Sequence, residues 1–474
     1  MANETLKKKE TFTIKDASNA REVALIVILR ISEEGRKSHI ALREALGASR
    51  LSDRDRAFAK RCVDGCLDYL LHEDALINRY SKLKLSKLDP YIRGILRMSV
   101  YQLKFMDKVP DSAVCNEAVK LTRLHGLGRL TGYVNGILRN MVRDKESGAK
   151  RFFEFELPWE RYSLPEWLYK RLKRELGPKK ALLTAENYLL ERAVQVRLNL
   201  SLASEEEIAS CLERDGIGFK KIDIKKMLED SYASGLLLYQ VPEIRKLPVM
   251  YELSGLKGIE RSVAFRKGYI QVQDVSSALA AASLEPEPGD RVLDICSAPG
   301  GKTIELADLM SAMNGDGDSR GEIIARDLTA DKLKLIRENV TRCGFKNVKV
   351  QQWDALVPDE KYKGKADKVL ADLPCSGLGI AGKKPDIKWN ITEKSIEELS
   401  WLQARMLDVA GSYLKPGGRL VYSTCTITEV EDEKNASEFA KRSGLKLLYM
   451  TKLLPSDKHD GFFISVFERQ KDGN

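Results

Sequence analysis

From Gly289 onward, short apolar runs alternate with segments whose apolar residues recur at helical spacing. The runs lie at residues 291–295, 321–325, 348–350, 368–371 and 419–422. Alternation of strands and helices predicts an α/β domain with a parallel sheet that is covered by helices on both faces. Ligands of such sheets bind at the carboxyl ends of the strands, so a functional site is expected in the residues that follow each run.

The length and composition of the chain indicate a soluble protein of several domains. At 474 residues it exceeds one ordinary core, and domains of roughly 100 to 200 residues would give two to four units. No segment reaches the roughly 18 to 20 apolar residues of a membrane span, and the first residues lack the apolar stretch of a secretion signal. We therefore expect a cytoplasmic protein without a membrane partner, whose eight cysteines are thiols.

The first third of the chain has the apolar period of helices. Between residues 19 and 143, apolar side chains recur at steps of three and four, as at Ile92, Leu96, Val100 and Leu103. The pattern then breaks, and Pro158 and Pro165 cannot continue a helix, so we expect a linker there. A helical bundle is therefore predicted before the linker.

The remaining residues suggest how the chain divides. A helical stretch near residues 168–190, a strand at 194–200 and a further helix are typical of a small α+β unit. We therefore predict three regions, and we interpret the loop at 314–321 as a surface insertion in the last of them. They are a helical bundle at 1–145, a linker with the small α+β unit at 146–270, and the α/β domain at 271–474.

The first strand of the α/β domain leads into Asp294-Ile-Cys-Ser-Ala-Pro-Gly-Gly-Lys-Thr303 and then into a helix. Small residues and backbone amides at the start of a helix let a polar ligand approach closely. A nucleotide P-loop would need glycine where this chain has Cys296, so an ATPase loop is excluded. The next strand ends offer the carboxylates of Asp327, Asp354 and Asp372, the first suited to ribose hydroxyls and the second to an exocyclic amine.

Two cysteines stand just beyond predicted strands. Ala371-Asp-Leu-Pro-Cys-Ser-Gly377 contains Cys375, and Val421-Tyr-Ser-Thr-Cys-Thr426 contains Cys425. A single buried thiol is more often structural than catalytic, but two thiols at neighbouring strand ends that face a ligand loop favour chemistry.

The methylation of cytosine gives a reason for two thiols. Carbon 5 is a poor nucleophile until a thiolate adds to carbon 6, which turns the ring into an enamine that can attack a sulfonium methyl group. An acid near the ring nitrogen assists this addition, and a base must later remove the proton of carbon 5 so that the enzyme is released. A second cysteine can assist that release, and the residues alone leave open which thiol is the nucleophile.

These motifs, together with Pro385-Asp-Ile-Lys-Trp389, resemble the RNA 5-methylcytosine methyltransferases of the Sun and NOL type. Gln271-Val-Gln-Asp-Val-Ser-Ser277 and His459-Asp-Gly-Phe-Phe463 are similar to bacterial members that act on small-subunit ribosomal RNA. The first third is similar to the NusB antitermination fold at residues 53–58, 100–103 and 134–140. The resemblance implies a NusB-like helical bundle, a small α+β unit and a Rossmann-like methyltransferase domain. Residues 201–267 match the family poorly and are expected to form an RNA-recognition-like unit.

The resemblance also implies roles for individual residues. Cys425 would attack carbon 6 of a cytosine in 16S ribosomal RNA, Cys375 would assist release, and Asp372 and Lys302 would face the target base. S-adenosylmethionine would be the cofactor, and no metal is expected. The residues implied to bind it are Cys296, Ser297, Ala298, Pro299, Gly300, Gly301, Lys302, Asp327, Asp354 and Asp372.

Two other functions stay open at this stage. The same chemistry could act on transfer RNA, although the NusB-like region favours ribosomal RNA. The chain could also be a non-catalytic RNA-binding factor of antitermination or ribosome assembly, against which the intact Cys375, Cys425 and Asp372 argue. The oligomeric state is not indicated, and a monomer is compatible with the sequence.

The charge of the chain is a mild argument for an RNA partner. The net charge of +10 and a pI near 9.0 suit a polyphosphate, although a solvated surface explains them equally well. A basic face for RNA is predicted from residues that cluster near the end of the bundle. They are Arg123, Arg129, Arg139, Arg143, Lys145, Lys150 and Arg151.

Overall fold

The structure, a computed structural model, describes residues 12–256, 258–311 and 321–471. The chain forms two compact units, of which one comprises Met1–Leu189 with Ala381–Asn390 and the other Leu190–Ile380 with Ile391–Asn474. The predicted domain boundaries stay predictions, and the predicted surface insertion lies outside the described residues except for its last residue, Gly321. Among the helices of the described ranges, none is both long and apolar enough to span a membrane.

The first unit is helical, as the apolar period predicted. Side chains cap several of its helices, and Asn19 accepts hydrogen bonds from the backbone amides of Arg21 and Glu22. The helices are α1 (Ala20–Ser32), α2 (Ser38–Gly47), α3 (Asp53–Asp68), α4 (Leu70–Tyr80), α5 (Pro90–Phe105), α6 (Asp111–Leu124), α7 (Thr131–Glu146), α8 (Lys150–Phe153), α9 (Pro158–Arg161), α10 (Glu166–Leu176) and α11 (Pro178–Asn187), with 3₁₀ turns at Leu85–Lys87 and Gly128–Leu130.

The core of this unit surrounds α1, whose residues from Val23 to Leu29 are all fully buried. Helix α3 packs closely on α5, because a Cβ atom at Gly65 would lie 1.9 Å from the ring of Tyr101. Cys62 and Cys66 are buried in the same core, and the thiol of Cys66 donates to the carboxyl group of Glu73 at 3.1 Å. Both cysteines are therefore part of the packing of the bundle.

The second unit begins with a small α+β region, whereas the helical stretch near residues 168–190 that the sequence assigned to this region forms α10 and α11 of the first unit. Its antiparallel sheet has the strand order β2-β3-β1-β4, and helices cover one face. The elements are β1 (Val194–Leu198), α12 (Glu205–Arg214), β2 (Gly218–Lys221), α13 (Ile224–Ala233), β3 (Met250–Ser254), α14 (Val263–Arg266) and β4 (Ile270–Val272), with a 3₁₀ turn at Ile259–Arg261.

The rest of the second unit is the predicted α/β domain. In the described residues its sheet has seven strands in the order β10-β11-β9-β8-β5-β6-β7. The elements from here to the end of the described chain are α15 (Val275–Ala282), β5 (Arg291–Asp294), α16 (Gly301–Ser311), β6 (Glu322–Asp327), α17 (Ala330–Cys343), β7 (Val348–Gln352), β8 (Ala366–Asp372), α18 (Asp386–Asn390), α19 (Glu393–Ser412), β9 (Leu414–Thr424), α20 (Asn435–Ser443), β10 (Lys446–Leu453) and β11 (Phe462–Glu468), with a 3₁₀ turn at Leu378–Ile380 and a π-helical turn at Val430–Lys434.

The sheet is mixed, although the sequence predicted a parallel one. Strands β5 to β9 pair in parallel, whereas β10 and β11 form an antiparallel hairpin beside β9. Strand β10 was missed because Thr451 and Lys452 interrupt its apolar run, and Lys452 is buried only because Asp432 and Glu433 pair with it.

One motif of the sequence contributes to the helical unit. In the segment Ala381–Asn390, Asp386 accepts a 2.7 Å hydrogen bond from the hydroxyl of Ser38, and the indole of Trp389 donates to the carbonyl of Leu67 at 2.9 Å. The ammonium of Lys388 is fully buried, and burial lowers its pKa to about 8. The Pro-Asp-Ile-Lys-Trp motif therefore anchors this segment within the first unit.

Candidate active site

The carboxyl ends of the parallel strands bring the predicted site residues to one edge of the sheet. Asp294 is opposite Leu370 in the pairing of β5 with β8, and Asp372 is opposite Ser423 in the pairing of β8 with β9. The loops that follow these strands therefore start side by side, as the alternating pattern predicted.

The loop after β5, residues 295–301, is called the glycine loop here. The backbone amide of Ser297 donates to the carbonyl of Arg326 at 2.8 Å, and its hydroxyl donates to the same oxygen at 2.9 Å. The amide of Ala298 donates to a carboxylate oxygen of Asp327 at 3.1 Å, and Asn339 donates to the carbonyl of Pro299 at 3.0 Å. These contacts fix the glycine loop against the end of β6.

Two glycines leave space at this loop. Gly300 has a φ of +106°, which favours glycine, and a Cβ atom at Gly301 would meet no atom of the described protein within 4 Å. A cavity of about 150 Å³ lies beside them and is called the glycine-loop cavity. It is lined by Gln271, Val272, Gln273, Ser277, Asp294, Cys296, Ser297, Ala298, Pro299, Gly301, Lys302 and Asp372.

Asp294 is a buried carboxyl group at the base of this cavity. One of its oxygens accepts a 2.6 Å hydrogen bond from the hydroxyl of Thr303, and the other has no hydrogen-bond partner in the described part of the chain. Burial raises the pKa of Asp294 to about 7. The cavity therefore offers a buried acceptor or donor that a polar ligand could satisfy.

The other two carboxylates predicted to bind the cofactor follow β6 and β7. Asp327 is buried and accepts hydrogen bonds from the amide of Leu328 at 2.7 Å and the ammonium of Lys332 at 2.9 Å. Asp354 is half-buried and accepts from the amide of Leu356 at 2.9 Å. The amide of Trp353 donates to the carbonyl of Asp327, so the chain segments with the two carboxylates are adjacent.

Cys375 and Cys425, called the cysteine pair, are brought together by the ends of β8 and β9. Their sulfur atoms are 3.3 Å apart, although 50 residues separate them in the chain, and both are half-buried. The hydrogen bond with Cys425 and then burial raise the pKa of Cys375 well above its ordinary value. Cys375 is therefore held mainly as a thiol as long as Cys425 is not bonded to a substrate.

Lys302 and Asp372 connect the cysteine pair to the cavity. Their side chains form a 2.7 Å ion pair, and the second oxygen of Asp372 accepts from the hydroxyl of Ser423 at 2.8 Å. Burial opposes the charged form of Lys302, but Asp372 and, to a smaller extent, Cys425 outweigh burial and raise its pKa. The ammonium group of Lys302 thus lies close enough to Cys425 to stabilise its thiolate electrostatically.

Glu431, which is not predicted as a site residue from the sequence, lies in the π-helical turn and contacts the loops of the cysteine pair. It is fully buried, and it accepts hydrogen bonds from the amide and the hydroxyl of Ser376 at 2.8 and 2.6 Å. It also accepts from the hydroxyl of Thr428 at 2.7 Å. The spacing of Thr428 and Glu431 matches a capping box and could have signalled that the two side chains interact.

A close backbone contact also supports the two loops. The amide of Gly379 donates to the carbonyl of Cys425, and the amide of Gly461 donates to the carbonyl of Gly379, both at 2.9 Å. A Cβ atom at Gly379 would lie 2.0 Å from the carbonyl oxygen of Gly461. The glycine of the His-Asp-Gly-Phe-Phe motif therefore allows the backbone to approach the cysteine pair.

The predicted basic face is only partly available to RNA. Lys145 forms a largely buried ion pair with Asp111 at 2.8 Å, whereas Lys150, 3.7 Å from Glu154, stays exposed. Exposed arginines remain on α6, in the 3₁₀ turn that follows it, on α7 and on α8. They are Arg123, Arg129, Arg139, Arg143 and Arg151.

Two protein-family models match this chain, one in its N-terminal part and one in its C-terminal part. Residues 281–468 match the family model for the 16S rRNA methyltransferase RsmB/F, and residues 18–143 match the model for the NusB family. The chain is 30% identical to the probable ribosomal RNA small subunit methyltransferase B of Bacillus subtilis, over 88% of this chain and 87% of that protein.

Two solved structures share the fold. The crystal structure of PH0851 matches with a TM-score of 0.72 and 26% identity, over 95% of this chain and 99% of that chain. The structure of NSun6 from Pyrococcus horikoshii with SFG, an S-adenosylmethionine analogue, matches with a TM-score of 0.52 and 26% identity, over 65% of this chain and 99% of that one. Since the match to the Bacillus protein spans most of both chains, this chain belongs to the ribosomal RNA small subunit methyltransferase B family and carries a NusB-family domain before its methyltransferase domain.

Proposed function

We propose that the chain transfers a methyl group from S-adenosylmethionine to carbon 5 of one cytosine in 16S ribosomal RNA, with Cys425 as the covalent nucleophile. Its family makes it an S-adenosylmethionine-dependent methyltransferase of ribosomal RNA. The position on the base and the covalent step are the finer parts of the proposal. They are supported by the 3.3 Å approach of Cys375 to Cys425 beside the Lys302–Asp372 ion pair.

Two features of the glycine-loop cavity support S-adenosylmethionine as its ligand. The open space at Gly301 lets a ligand approach the backbone, and the unpartnered oxygen of Asp294 can bond to a polar group. Asp327 and Asp354 would bind the ribose hydroxyls and the exocyclic amine. When bound, the cofactor supplies an electrophilic methyl group on a sulfonium centre.

The cysteine pair would carry the covalent steps. The Cys425 thiolate adds to carbon 6 of the cytosine, so that a carbon–sulfur bond forms and the electrons of the 5,6 double bond move toward the ring nitrogen. Asp372 would hydrogen-bond to the base during this addition, and Lys302 would hold the carboxyl group of Asp372 in place. Carbon 5 then carries enough electron density to accept a methyl group.

Release of the enzyme needs a base. The thiol of Cys375 first loses its own proton to solvent. The carbon 5–hydrogen bond then breaks, the proton passes to the Cys375 thiolate, the double bond re-forms, and the bond from Cys425 to carbon 6 breaks. The two sulfur atoms are 3.3 Å apart, so their geometry alone does not distinguish the nucleophile from the base. The assignment of Cys425 as nucleophile and Cys375 as base therefore follows the resemblance to the family.

The test is the transfer of labelled methyl groups to unmodified 16S ribosomal RNA and to unmodified transfer RNA, with Cys425→Ala as the control. We expect label on carbon 5 of a single ribosomal cytosine, and none with Cys425→Ala. Label on transfer RNA alone would show that the substrate is transfer RNA and not 16S ribosomal RNA. Label that persists with Cys425→Ala would contradict the covalent role of this cysteine, and label on neither RNA would contradict the proposed activity.

A further inference from the structure

Glu431 accepts hydrogen bonds from both loops of the cysteine pair, the loop after β8 that contains Cys375 and the loop after β9 that contains Cys425. On the side of Cys375, it accepts from the amide and the hydroxyl of Ser376, the next residue in the chain. On the side of Cys425, it accepts from the hydroxyl of Thr428 at 2.7 Å and that of Thr426 at 3.3 Å. One carboxylate thus ties together two loops that are far apart in the sequence.

Other buried side chains hold Glu431 in turn. The amide group of Gln403 donates to Glu431 at 3.1 Å and to the carbonyl of Pro374, the residue before Cys375, at 2.9 Å. The hydroxyl of Tyr422 donates to the carbonyl of Glu431. The carboxylate therefore belongs to a network that reaches the chain on both sides of Cys375.

The neighbouring Asp432 fixes the strand that leads to Cys425. It accepts a 2.6 Å hydrogen bond from the hydroxyl of Thr424, the residue before Cys425, and its other oxygen lies 2.9 Å from the ammonium of Lys452. Both acids belong to the π-helical turn Val430–Lys434, a rare conformation that is frequent at functional sites.

Burying a carboxylate is costly unless its oxygens are well bonded, so the position of Glu431 requires a reason. Both oxygens of Glu431 accept hydrogen bonds from the cysteine loops, and Glu431 itself does not line the glycine-loop cavity. These hydrogen bonds allow Glu431 to set the distance between the two thiols.

We propose that Glu431 is a positioning residue that holds Cys375 within reach of the base bound to Cys425, and so controls the release of the methylated RNA. This inference rests on the proposed function. Once Cys425 is bonded to carbon 6, its sulfur can no longer donate a hydrogen bond to Cys375, whereas the hydrogen bonds of Ser376 to Glu431 remain to fix Cys375. The proton transfer from carbon 5 to Cys375 therefore depends on Glu431 more than the methyl transfer does.

The experiment compares wild type, Glu431→Ala and Glu431→Gln as full-length proteins with S-adenosylmethionine and unmodified 16S ribosomal RNA. The first turnover, the steady-state rate and the covalent protein–RNA adduct on a denaturing gel are measured. With Glu431→Ala we expect the first turnover to persist, the steady-state rate to fall roughly 10- to 100-fold, and the adduct to accumulate. Glu431→Gln keeps an acceptor oxygen for Ser376 and should restore most of the steady-state rate.

Further variants separate positioning from folding. Thr428→Val removes one hydrogen bond to Glu431, and we expect it to raise the adduct by roughly fivefold. Ser283→Ala removes a buried hydroxyl that donates to the carbonyl of Leu279 in α15, and it should leave the adduct unchanged. If Glu431→Ala does not fold, Thr428→Val decides the question by the same adduct measurement.

The double variant Glu431→Ala/Cys375→Ala should accumulate no more adduct than Cys375→Ala alone, because both changes act on the same step. Equal losses in first turnover and steady-state rate, without adduct, would overturn the positioning role of Glu431. Failure of Cys375→Ala to form any adduct would instead overturn the proposed function, so the two failures are distinguishable.

Discussion

The glycine-loop cavity and the cysteine pair lie at the same edge of one sheet but are built differently. The cavity is lined by polar side chains, including the Lys302–Asp372 ion pair, and by Gly301, where an added Cβ atom would meet no described atom within 4 Å. The cysteine pair is surrounded by buried, hydrogen-bonded side chains and by a backbone contact at Gly379 that leaves no room for a Cβ atom. Binding a ligand needs space and accessible polar groups, whereas two thiols that act in turn need a fixed separation.

The largest expected effect separates chemistry from binding. Cys425→Ala should lower methyl transfer by at least roughly a thousandfold, because it removes the nucleophile. Cys425 does not line the glycine-loop cavity, so the affinity for S-adenosylmethionine should stay within about twofold of wild type. Calorimetric titration beside a methyl-transfer assay measures both, and an equal loss of binding and transfer would show that the two regions are not independent.

A glycine substitution at the cysteine pair should mainly damage the fold. Gly379→Ala places a Cβ atom 2.0 Å from the carbonyl oxygen of Gly461, and the backbone must shift to accommodate it. We expect a loss of roughly 2 to 4 kcal/mol in the free energy of unfolding, measured by denaturant titration. A stability within 0.5 kcal/mol of wild type, on the scale of roughly ±0.5 kcal/mol for neutral surface changes, would contradict the tight contact.

The matched change at the glycine loop should have the opposite profile. In Gly301→Ala the new Cβ atom meets no described protein atom within 4 Å, and the position starts helix α16, so the stability should be unchanged or slightly higher. The methyl group should occupy space needed by the cofactor and weaken its binding roughly tenfold. Unaltered affinity for S-adenosylmethionine would show that the cofactor does not bind next to Gly301.

The smallest expected effect concerns pH. Burial raises the pKa of Asp294 from its ordinary value near 3.8 to about 7. Between these values the folded protein keeps a proton that the unfolded chain has lost, so this group stabilises the fold less as pH rises through the window. The melting temperature of Asp294→Asn should therefore fall less than that of wild type between pH 5 and about pH 7.5, and identical slopes would show that Asp294 is not protonated in the fold.

The sequence predicted those parts that depend on local patterns. Strand and helix periods placed Asp327, Asp372 and both cysteines at strand ends, because parallel strands align their carboxyl ends whatever the loops between them. The helical first unit and the small α+β region followed from the same periods.

The parts that depend on distant contacts could not be predicted in this way. Glu431 reads as one acid in a charged run until Ser376, 55 residues earlier, is placed beside it. Lys452 makes β10 look too polar for a buried strand until Asp432 neutralises it. Asp386 contacts Ser38 across 348 residues, a separation at which no periodicity carries information.

The identity of the nucleophile is tested most directly by locating the covalent bond. Cys375→Ala would be incubated with S-adenosylmethionine and unmodified 16S ribosomal RNA, digested with protease and nuclease, and analysed by mass spectrometry. The account predicts a methylated cytidine nucleotide attached to the peptide that contains Cys425. An adduct on Cys375 in Cys425→Ala, with none on Cys425 in Cys375→Ala, would contradict it and exchange the roles of the two thiols.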